Sequence, residues 1–532
     1  MRLLILILFP ISVIAQDLGS YKFFISFKDK GTQTISDFQL SDLVSDKSIQ
    51  RREKQSIDIH YSDLPVFSDY KDSISEKGYS IDYDSKWLNG IICSSSENNI
   101  SNILSFPFVE KIDSFGFFPL LISSGSRIQN KFEELSDNYG DGFNQIEMLQ
   151  GHELHKLGYM GQGIDVAVLD AGFRNAIYID GLKHLFQNNQ VLGTWDFVDQ
   201  EESVFEDNYH GMSVLSTMAS DLDNQFIGMS PRANYWMLRT ENSVSENLIE
   251  EFYWTVAAEF CDSVGVDIIN SSLGYTTFDL GYQDHSSADL DGFTTPISKA
   301  ATFAARKGMI VCNSAGNSGN SSWYYISAPA DADSIITVGS VDQNREVSSF
   351  TSRGPSADGR LKPTVSAQGG NTTIYNPNNT INTSNGTSFS SPIIAGMTAC
   401  LWQANYDKSA QEIIAAIVES SHLVDNPNSD IGNGIPNFSI ANAILKLDDV
   451  ESSFLEVYPN PVVNNTFTYL FVNSSSSSVK LYDLLGKLLY QKSLDNNIGL
   501  YQLSIPYLNN GTYLLSVESS DLVLTKKIVV VD

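Results

Sequence analysis

Cysteine is almost missing from this chain: four residues among 532, at positions 93, 261, 312 and 400, with no C-x-x-C pair. That spacing defines neither a zinc site nor a disulfide framework. The four read as small buried hydrophobes, with a disulfide open to them if the chain is exported. Positive charge is short as well. Thirty-three Lys and Arg face 63 Asp and Glu, a net charge of −30, which argues against nucleic acid as a partner because affinity for phosphates comes from basic side chains. The acidity serves solubility and is silent on fold. Long apolar runs are confined to one place. Residues 1–15, MRLLILILFPISVIA, carry a basic Arg2, an apolar stretch from Leu3 to Phe9, and Val13 and Ala15 before Gln16, the layout of a cleaved secretory signal. No later segment reaches the roughly 18 apolar residues of a membrane helix, so the mature chain is expected to be soluble and without a span.

What is present divides the chain into parts, as its length requires. YKFFISF (21–27) reads as a strand, 41–54 as a helix with Ser41 as a candidate cap, then a polar helix follows near 69–77, strand character in WLNGIICS (87–94), a short helix near 97–105 and VEKIDSF (109–115). Alternating elements over 17–125 predict a small α+β domain. Residues 126–145 belong to a polar, Gly-rich stretch without periodicity, read as a linker and processing region. From 146 to 447 the style changes. IDVAVLD, NYWMLRT, VDIINSSLG, GMIVCNSAGN and SIITVGSV are short apolar runs ending in Gly, Ser, Asp or Asn, separated by helical stretches such as 246–263 and 295–307. Runs apolar on both faces predict an α/β unit, a parallel sheet with helices on both faces. Ligands of such sheets sit beyond the carboxyl ends of the strands, where those polar residues fall. Residues 452–532 return to short β-type runs and predict a small antiparallel β-sandwich.

Four polar groups stand at strand ends or helix starts of the central unit. Asp170 ends IDVAVLD, His210 opens the helical pattern HGMSVLSTMA, Asn317 lies in SAGNSG, and Ser388 lies in SNGTSFSSPIIAGMTA at the mouth of an apolar helix, with Pro392 just inside. Each has an ordinary reading alone: a turn Asp, a packed His, a turn Asn, a helix-capping Ser. Together they are the set that acyl transfer from an amide needs: a nucleophile, a base of pKa near 7, a carboxylate to hold that base, and an oxyanion donor. An α/β-hydrolase would present G-x-S-x-G and the order Ser, acid, His; here position 390 is Ser390 and the order is Asp, His, Ser. GHELHKLG (151–158) places His152, Glu153 and His155 together, but a zinc protease needs histidines four apart, so the segment reads as a solvated helix face and no metal ligand is assigned.

In order, VAVLDAGF, HGMSVLS, NSSLG, SAGN and NGTSFSSP resemble the motifs of subtilases, the subtilisin-like serine proteases, over about 300 central residues. The resemblance implies a subtilisin-like fold and a serine endopeptidase. Asp170 would orient the histidine, His210 would be general base and acid, Ser388 the nucleophile, and Asn317 with the Ser388 N–H the oxyanion hole. Ser272, Leu273 and Gly274, with Ser314, Ala315 and Gly316, match the segments that pair with the substrate backbone and wall its first pocket. The chain departs from the family at Ala171, where Ser or Thr is usual, at Met212 for Thr, and at Thr364 for Asp. No cofactor is required; subtilases often bind structural calcium, and the acidic stretches 200–207 and 279–291 are where it could sit, without the spacing of a recognisable site.

By the same resemblance 17–125 looks like a subtilase propeptide, and the tail, with YPNP, VKLYDLLGK, GTYLLSV and KKIVVV, is similar to the type A sorting domain of the Bacteroidetes type IX secretion system. An adhesive or carbohydrate-binding sandwich stays open for the tail on fold alone. The implied partners are protein or peptide substrates, the chain's own propeptide and the type IX machinery, and the implied location is outside the cell or on its surface. Two alternatives stay open: a non-catalytic binding protein on a protease scaffold, and a protein that processes only itself.

Overall fold

The computed structural model describes residues 19–98, 100–119, 139–279, 281–447, 454–463, 466–472, 477–494, 498–504, 508–519 and 523–531. The signal-like stretch 1–15 and residues 126–138 of the expected linker lie outside them.

Alternation along YKFFISF sets the architecture of the N-terminal unit. Strand β1 (Gly19–Phe27) turns Phe23, Ile25 and Phe27 into a core of their own, with Ile74, Ile91 and Ile103, and Phe24 to the other face. The remaining elements are α1 (Asp46–Lys54), α2 (Ser68–Ser75), β2 (Ser80–Ser85), β3 (Gly90–Ser95), α3 (Ser101–Leu104) and β4 (Val109–Pro119), the strands forming an antiparallel sheet of order β2-β3-β1-β4. Two expectations shift. The cap of α1 is Ser45, whose hydroxyl accepts from Ser48 N at 3.4 Å, because Ser41 lies inside a separate single turn, Leu40–Asp42. The strand expected from Trp87 starts at Gly90, since Asn89 takes a left-handed φ of 49° in the turn before it.

The central unit contains α4 (Phe143–Glu147), α5 (His152–Lys156), β5 (Asp165–Asp170), α6 (Lys183–Gln187), β6 (Val191–Asp196), α7 (His210–Ala219), β7 (Asp221–Leu222), β8 (Phe226–Ile227), β9 (Asn234–Arg239), α8 (Ile249–Val264), β10 (Ile268–Ser271), α9 (Pro296–Arg306), β11 (Ile310–Ser314), β12 (Ile336–Val341), β13 (Val365–Gln368), β14 (Thr372–Tyr375), β15 (Ile381–Ser384), α10 (Thr387–Ala404), α11 (Ala410–Glu419) and α12 (Phe438–Leu447). Seven parallel strands run in the order β13-β12-β11-β10-β5-β9-β6. Both faces are apolar, as a parallel sheet under helices requires. Val166 and Val168 of β5 face α7 and α10 through Met212, Leu215, Ile393 and Met397, while Ala167 and Leu169 face α8 and α9 through Trp254, Ala257 and Ala300. The folded body begins upstream of the expected 146: Tyr139 is buried, Gly140 bridges to Phe226, and Gln145 is buried against β14. Asp170 at the tip of β5, Ser271 ending β10 and Ser314 ending β11 share the carboxyl edge of the sheet.

The N-terminal sheet lies on α8, with Phe24 and Phe252 rings 4.4 Å apart. Beside them is a buried charge cluster. Asp262, in the last turn of α8, meets Arg51 at 2.7 Å, Arg52 at 2.6 Å and Lys86 at 3.4 Å; Arg52 also holds Asp63 at 3.0 Å, and Lys307 of the central unit holds Asp63 at 2.8 Å. Burial alone would raise both carboxyls, but the cations outweigh it: Asp262 is lowered, and Asp63 falls to about 2.

Among its described residues the C-terminal unit has seven strands, β16 (Phe454–Val463), β17 (Thr466–Val472), β18 (Ser477–Asp483), β19 (Leu488–Leu494), β20 (Ile498–Ser504), β21 (Gly511–Ser519) and β22 (Val523–Val530), in the order β19-β18-β21-β22-β16-β17-β20. The first half of β16 pairs with β17 and its end pairs with β22 at Val462 and Val530. This last pairing is parallel, so the expected wholly antiparallel arrangement is corrected there: β16 crosses from one set of strands to the other and enters the second alongside the C-terminal strand.

Candidate active site

Asp170 is fully buried at the centre of the sheet's carboxyl edge. Its Oδ1 accepts from His210 Nδ1 at 2.8 Å and from Ala171 N at 2.8 Å, while Oδ2 is buried with no hydrogen-bond partner among the described residues. Ala171 carries no hydroxyl and so offers that oxygen no side-chain donor. His210 is the first residue of α7, where a backbone N–H has no helical partner; Asn208 Oδ1 accepts it at 2.8 Å. Gly211 is required by close approach, since a Cβ there would lie 2.7 Å from Gly172 O and 2.8 Å from Asp170 Cβ. Met212, the departure from the usual threonine, points into the core and is fully buried. Burial works against a charged imidazole, but the charge and hydrogen bond of Asp170, with Glu241 adding to them, raise the His210 pKa above its usual 6.5.

Ser388 is the second residue of α10, and the N-cap is Gly386, so the simple capping reading of Ser388 does not hold. Its N–H lies in the first turn, without a carbonyl four residues back inside the helix. Gly386 has φ +152°, and a side chain on it would stand 3.7 Å from Ser388 N and 3.8 Å from Asn317 Nδ2. Glycine therefore keeps the space between these two donors open. Asn317 is fixed by its other amide atom: Oδ1 accepts from Thr387 N at 2.8 Å and Thr387 Oγ1 at 3.0 Å, leaving Nδ2 free to donate.

Pro392 is the sixth residue of α10, beyond the first turn where it was expected. Having no N–H, it leaves the carbonyl four residues earlier without a helical donor, and that carbonyl is Ser388 O. Ser272 Oγ supplies the bond at 2.9 Å. Asn270 ties the arrangement together, donating to Ser272 Oγ at 3.3 Å and accepting from Ser391 Oγ at 2.9 Å. The Ser388 hydroxyl points to Ser272 O at 3.4 Å, its hydrogen bond among the described residues; a Phe389 ring lies 5.8 Å from the His210 ring.

Of the expected wall residues, Ser272 and Leu273 are buried, Ser272 against the nucleophile, and Gly274 is exposed. Ser314 and Ala315 are buried, and Gly316 has both backbone groups engaged, its N–H by Thr387 Oγ1 at 3.2 Å and its carbonyl by Ser352 N at 2.9 Å. The 314–316 segment can thus wall a pocket, but Gly316 is not free to pair as an added strand. Asn270, Thr387 and Glu241 were missed as site residues, although Asn270 and Thr387 stand inside the quoted motifs NSSLG and NGTSFSSP.

The metal readings resolve on contacts. His155 is not solvated: it is buried, with Nδ1 3.0 Å from Tyr139 OH and Nε2 2.8 Å from Met229 O. Burial holds its pKa down at about 4, and His152 pairs with Glu153 at 3.0 Å. Near the 200–207 stretch, Asp196, Asp199 and Asp207 bring their oxygens within 4.8 Å of one another. They converge on Arg239 Nη1, at 2.5, 2.6 and 3.3 Å. A guanidinium already fills the place of a cation, so these residues do not fit a calcium ion. In 279–291 the carboxylates of Asp284, Asp289 and Asp291 accept backbone N–H groups of their own loop.

Residues 161–435 match the subtilase family, residues 22–127 the peptidase S8 propeptide domain of Bacteroidota, and residues 456–531 a secretion system C-terminal sorting domain. Serine protease AprX of Bacillus subtilis (strain 168) is 32% identical over 282 residues, covering 48% of this chain and 60% of AprX. Thermitase of Thermoactinomyces vulgaris is 29% identical over 285 residues, 52% of this chain and 88% of thermitase. The crystal structure of MycP1 from the ESX-1 type VII secretion system aligns at 21% identity and a TM-score of 0.44, over 57% of this chain and 87% of MycP1. The chain belongs to the subtilase family of serine proteases, with a Bacteroidota S8 propeptide domain before the protease domain and a secretion-system sorting domain after it.

Proposed function

We propose that the chain is a secreted serine endopeptidase made as an inactive precursor, which cuts peptide bonds through an acyl-enzyme on Ser388. His210, made more basic by Asp170, takes the Ser388 proton on attack and returns it to the leaving amine. Asn317 Nδ2 and the Ser388 N–H receive the oxyanion, and the positive end of α10 adds to them. The peptide lies along Ser272–Gly274, with Ser314–Gly316 as the far wall of its first pocket. Water activated through His210 then releases the acyl group. The observation that carries this reading is the 2.8 Å His210–Asp170 bond on the same sheet edge as a serine whose N–H and a neighbouring amide are kept uncovered by Gly386. The N-terminal unit acts as the chain's own inhibitor until it is cut away, and the tail directs export by the type IX machinery to the cell surface or the medium.

The test is labelling of the processed protein by a fluorophosphonate probe, with Ser388→Ala as control, followed by digestion of an unrelated unfolded protein. Labelling that disappears in the variant, together with digestion, supports the reading. Absence of labelling favours a non-catalytic scaffold, and labelling without digestion favours a protein that processes only itself.

A further inference from the structure

Beside the triad lies a row of carboxyls that the mechanism does not use. The chain leaves β9 after Arg239, the register partner of Asp170, and Thr240 N–H donates to the Asp170 carbonyl at 3.0 Å, which brings Glu241 next to His210 and Asp170. Glu241 is part exposed, and its carboxyl has no hydrogen bond or ion pair among the described residues. Glu250 closes the loop behind it, accepting from Asn242 N at 3.1 Å and Asn247 N at 3.4 Å. Glu246 is fixed through its backbone to Asp279, at 2.9 and 3.1 Å, and its carboxyl too lacks a partner among the described residues. An independent observation points to a ligand. Tyr275, the residue after Ser272–Gly274, is 1% exposed, its hydroxyl has no hydrogen-bond partner among the described residues, and the charges that act on it are those of Glu241, Glu250, Glu246 and Glu251. A buried phenol with nothing to bond is costly, and its oxygen can accept an N–H.

The spacing selects the kind of cation. Among the described residues, the carboxylate group tight enough for a metal ion is Asp196, Asp199 and Asp207, and these glutamates do not form such a group. Carboxyls spread along a loop suit an extended organic cation, an ammonium on a flexible stem or a planar guanidinium. The chain's own processing region offers this chemistry. The basic residues of 120–138 are Arg127 and Lys131, and the propeptide match ends at 127. The strand leading there, β4, is held at this loop: Tyr282 OH donates to Phe115 O and accepts from Asn247 Nδ2 at 3.1 Å.

We propose that Glu241, Glu246 and Glu250, with the Tyr275 hydroxyl, form a subsite for the side chain of an arginine or lysine in the bound peptide; the proposal rests on the serine-protease reading above. The groups facing the subsite give it a pH signature. Burial first, then Asp170 and Glu246, against His210 and Arg239, put Glu241 at about 8. Burial with Asp279 and Glu251 puts Glu246 at about 7, and burial with Glu241 and Glu246 puts Glu250 at about 9, opposed by the Asn242 and Asn247 N–H groups. Glu251 is answered by His285 at 2.5 Å. The carboxyls are neutral in acid and ionise as pH rises, so preference for a cation grows between about pH 6 and pH 9.

The experiment uses the processed protein, one aliquot of which is labelled with a fluorophosphonate to count active serines, and, on the unlabelled remainder, paired peptides that differ by arginine or its neutral isostere citrulline at each position before the cut. At one position the kcat/KM ratio of arginine to citrulline should be roughly tenfold or more at about pH 8, shrink at about pH 6, and fall several-fold in Glu241→Gln. Taking a ratio cancels the titration of His210, and Glu246→Gln repeats the test if the first variant does not fold. A ratio within about twofold at every position, in wild type whose separate aliquot does label, overturns the subsite while leaving the protease reading intact. So does a ratio that the two variants leave unchanged, or calcium binding lost in both variants. No labelling overturns both readings.

Discussion

Asp262→Asn should release the N-terminal unit from the protease domain without harming the domain itself. In the intact chain Asp262 is the carboxylate against which Arg51, Arg52 and Lys86 are buried, and Asp63, facing Arg52 and Lys307, is the other. Asparagine is nearly isosteric but neutral, so four cations would be left with one carboxylate in a dry interface. Removing one partner from a buried pair costs about 3–5 kcal/mol. Asparagine keeps one acceptor oxygen, which favours the lower half of that range, and the inhibition constant should rise by about 100-fold or more. Once the N-terminal unit is gone, Asp262 sits at the C-terminal end of α8, where a negative charge opposes the helix dipole. Its neutralisation there is expected to be mildly stabilising, by about 0.3–1 kcal/mol. The assay is inhibition of peptide hydrolysis by the separately produced N-terminal unit, titrated against mature wild type and Asp262→Asn, with Tm of both mature forms. Because Asp262 and Asp63 have lowered pKa values, their contribution is complete above the ordinary carboxylate pKa of about 4 and fades only as pH falls below it. Mild acid should therefore not release the unit through this cluster. Inhibition constants within about threefold of each other would refute the reasoning, as would a mature variant that melts several degrees lower.

Other expectations are equally direct. Gly386→Ala places a methyl over Ser388 N and Asn317 Nδ2 and should lower kcat by about 100-fold or more with KM little changed, the cost of losing an oxyanion donor; steady-state kinetics on a chromogenic peptide check it. Ser272→Ala leaves the Ser388 carbonyl with neither helical nor side-chain donor, at a cost of about 1–3 kcal/mol, read as a lower Tm of the mature form. The acid limb of kcat/KM should lie above pH 6.5, because His210 must be neutral to act as base and its pKa is raised. Activity lost only below that value would contradict the Asp170 contact.

The sheet and the placement of the four candidate residues at strand ends and helix starts were legible because their signals are local. Apolar runs ending in Asp, Ser or Asn mark strand tips, and the onset of a helical apolar pattern marks a helix start, so Asp170, His210, Asn317 and Ser388 could be picked out without knowing what lies between them. The rest depends on distant packing. His155 carries the same i, i+3 spacing in either case; α5 is five residues long and turns that histidine onto Met229, which no neighbouring residue announces. Pro392 looked like a first-turn proline because the helix start could not be placed within a residue or two, and the function of its missing N–H appears only once Ser272, 116 residues away, is seen donating to Ser388 O. The acidic 200–207 stretch was open to calcium, without the spacing of a site, because Arg239, the internal counter-charge of Asp196, Asp199 and Asp207, arrives on another strand.

The bond from Ser272 to the Ser388 carbonyl also decides what the nucleophile is referenced to. In an unbroken helix the first-turn peptides move with the turn above them, and any sliding or fraying of the helix is passed to its end. Pro392 cuts that link at Ser388, and the peptide is moored instead to the tip of β10, beside the strand that carries Asp170. Attacking group and base are thereby anchored to neighbouring strands of one sheet, so a change in the length or tilt of α10 farther along, where Ile393 and Met397 pack, can be absorbed without displacing the two reacting groups relative to each other.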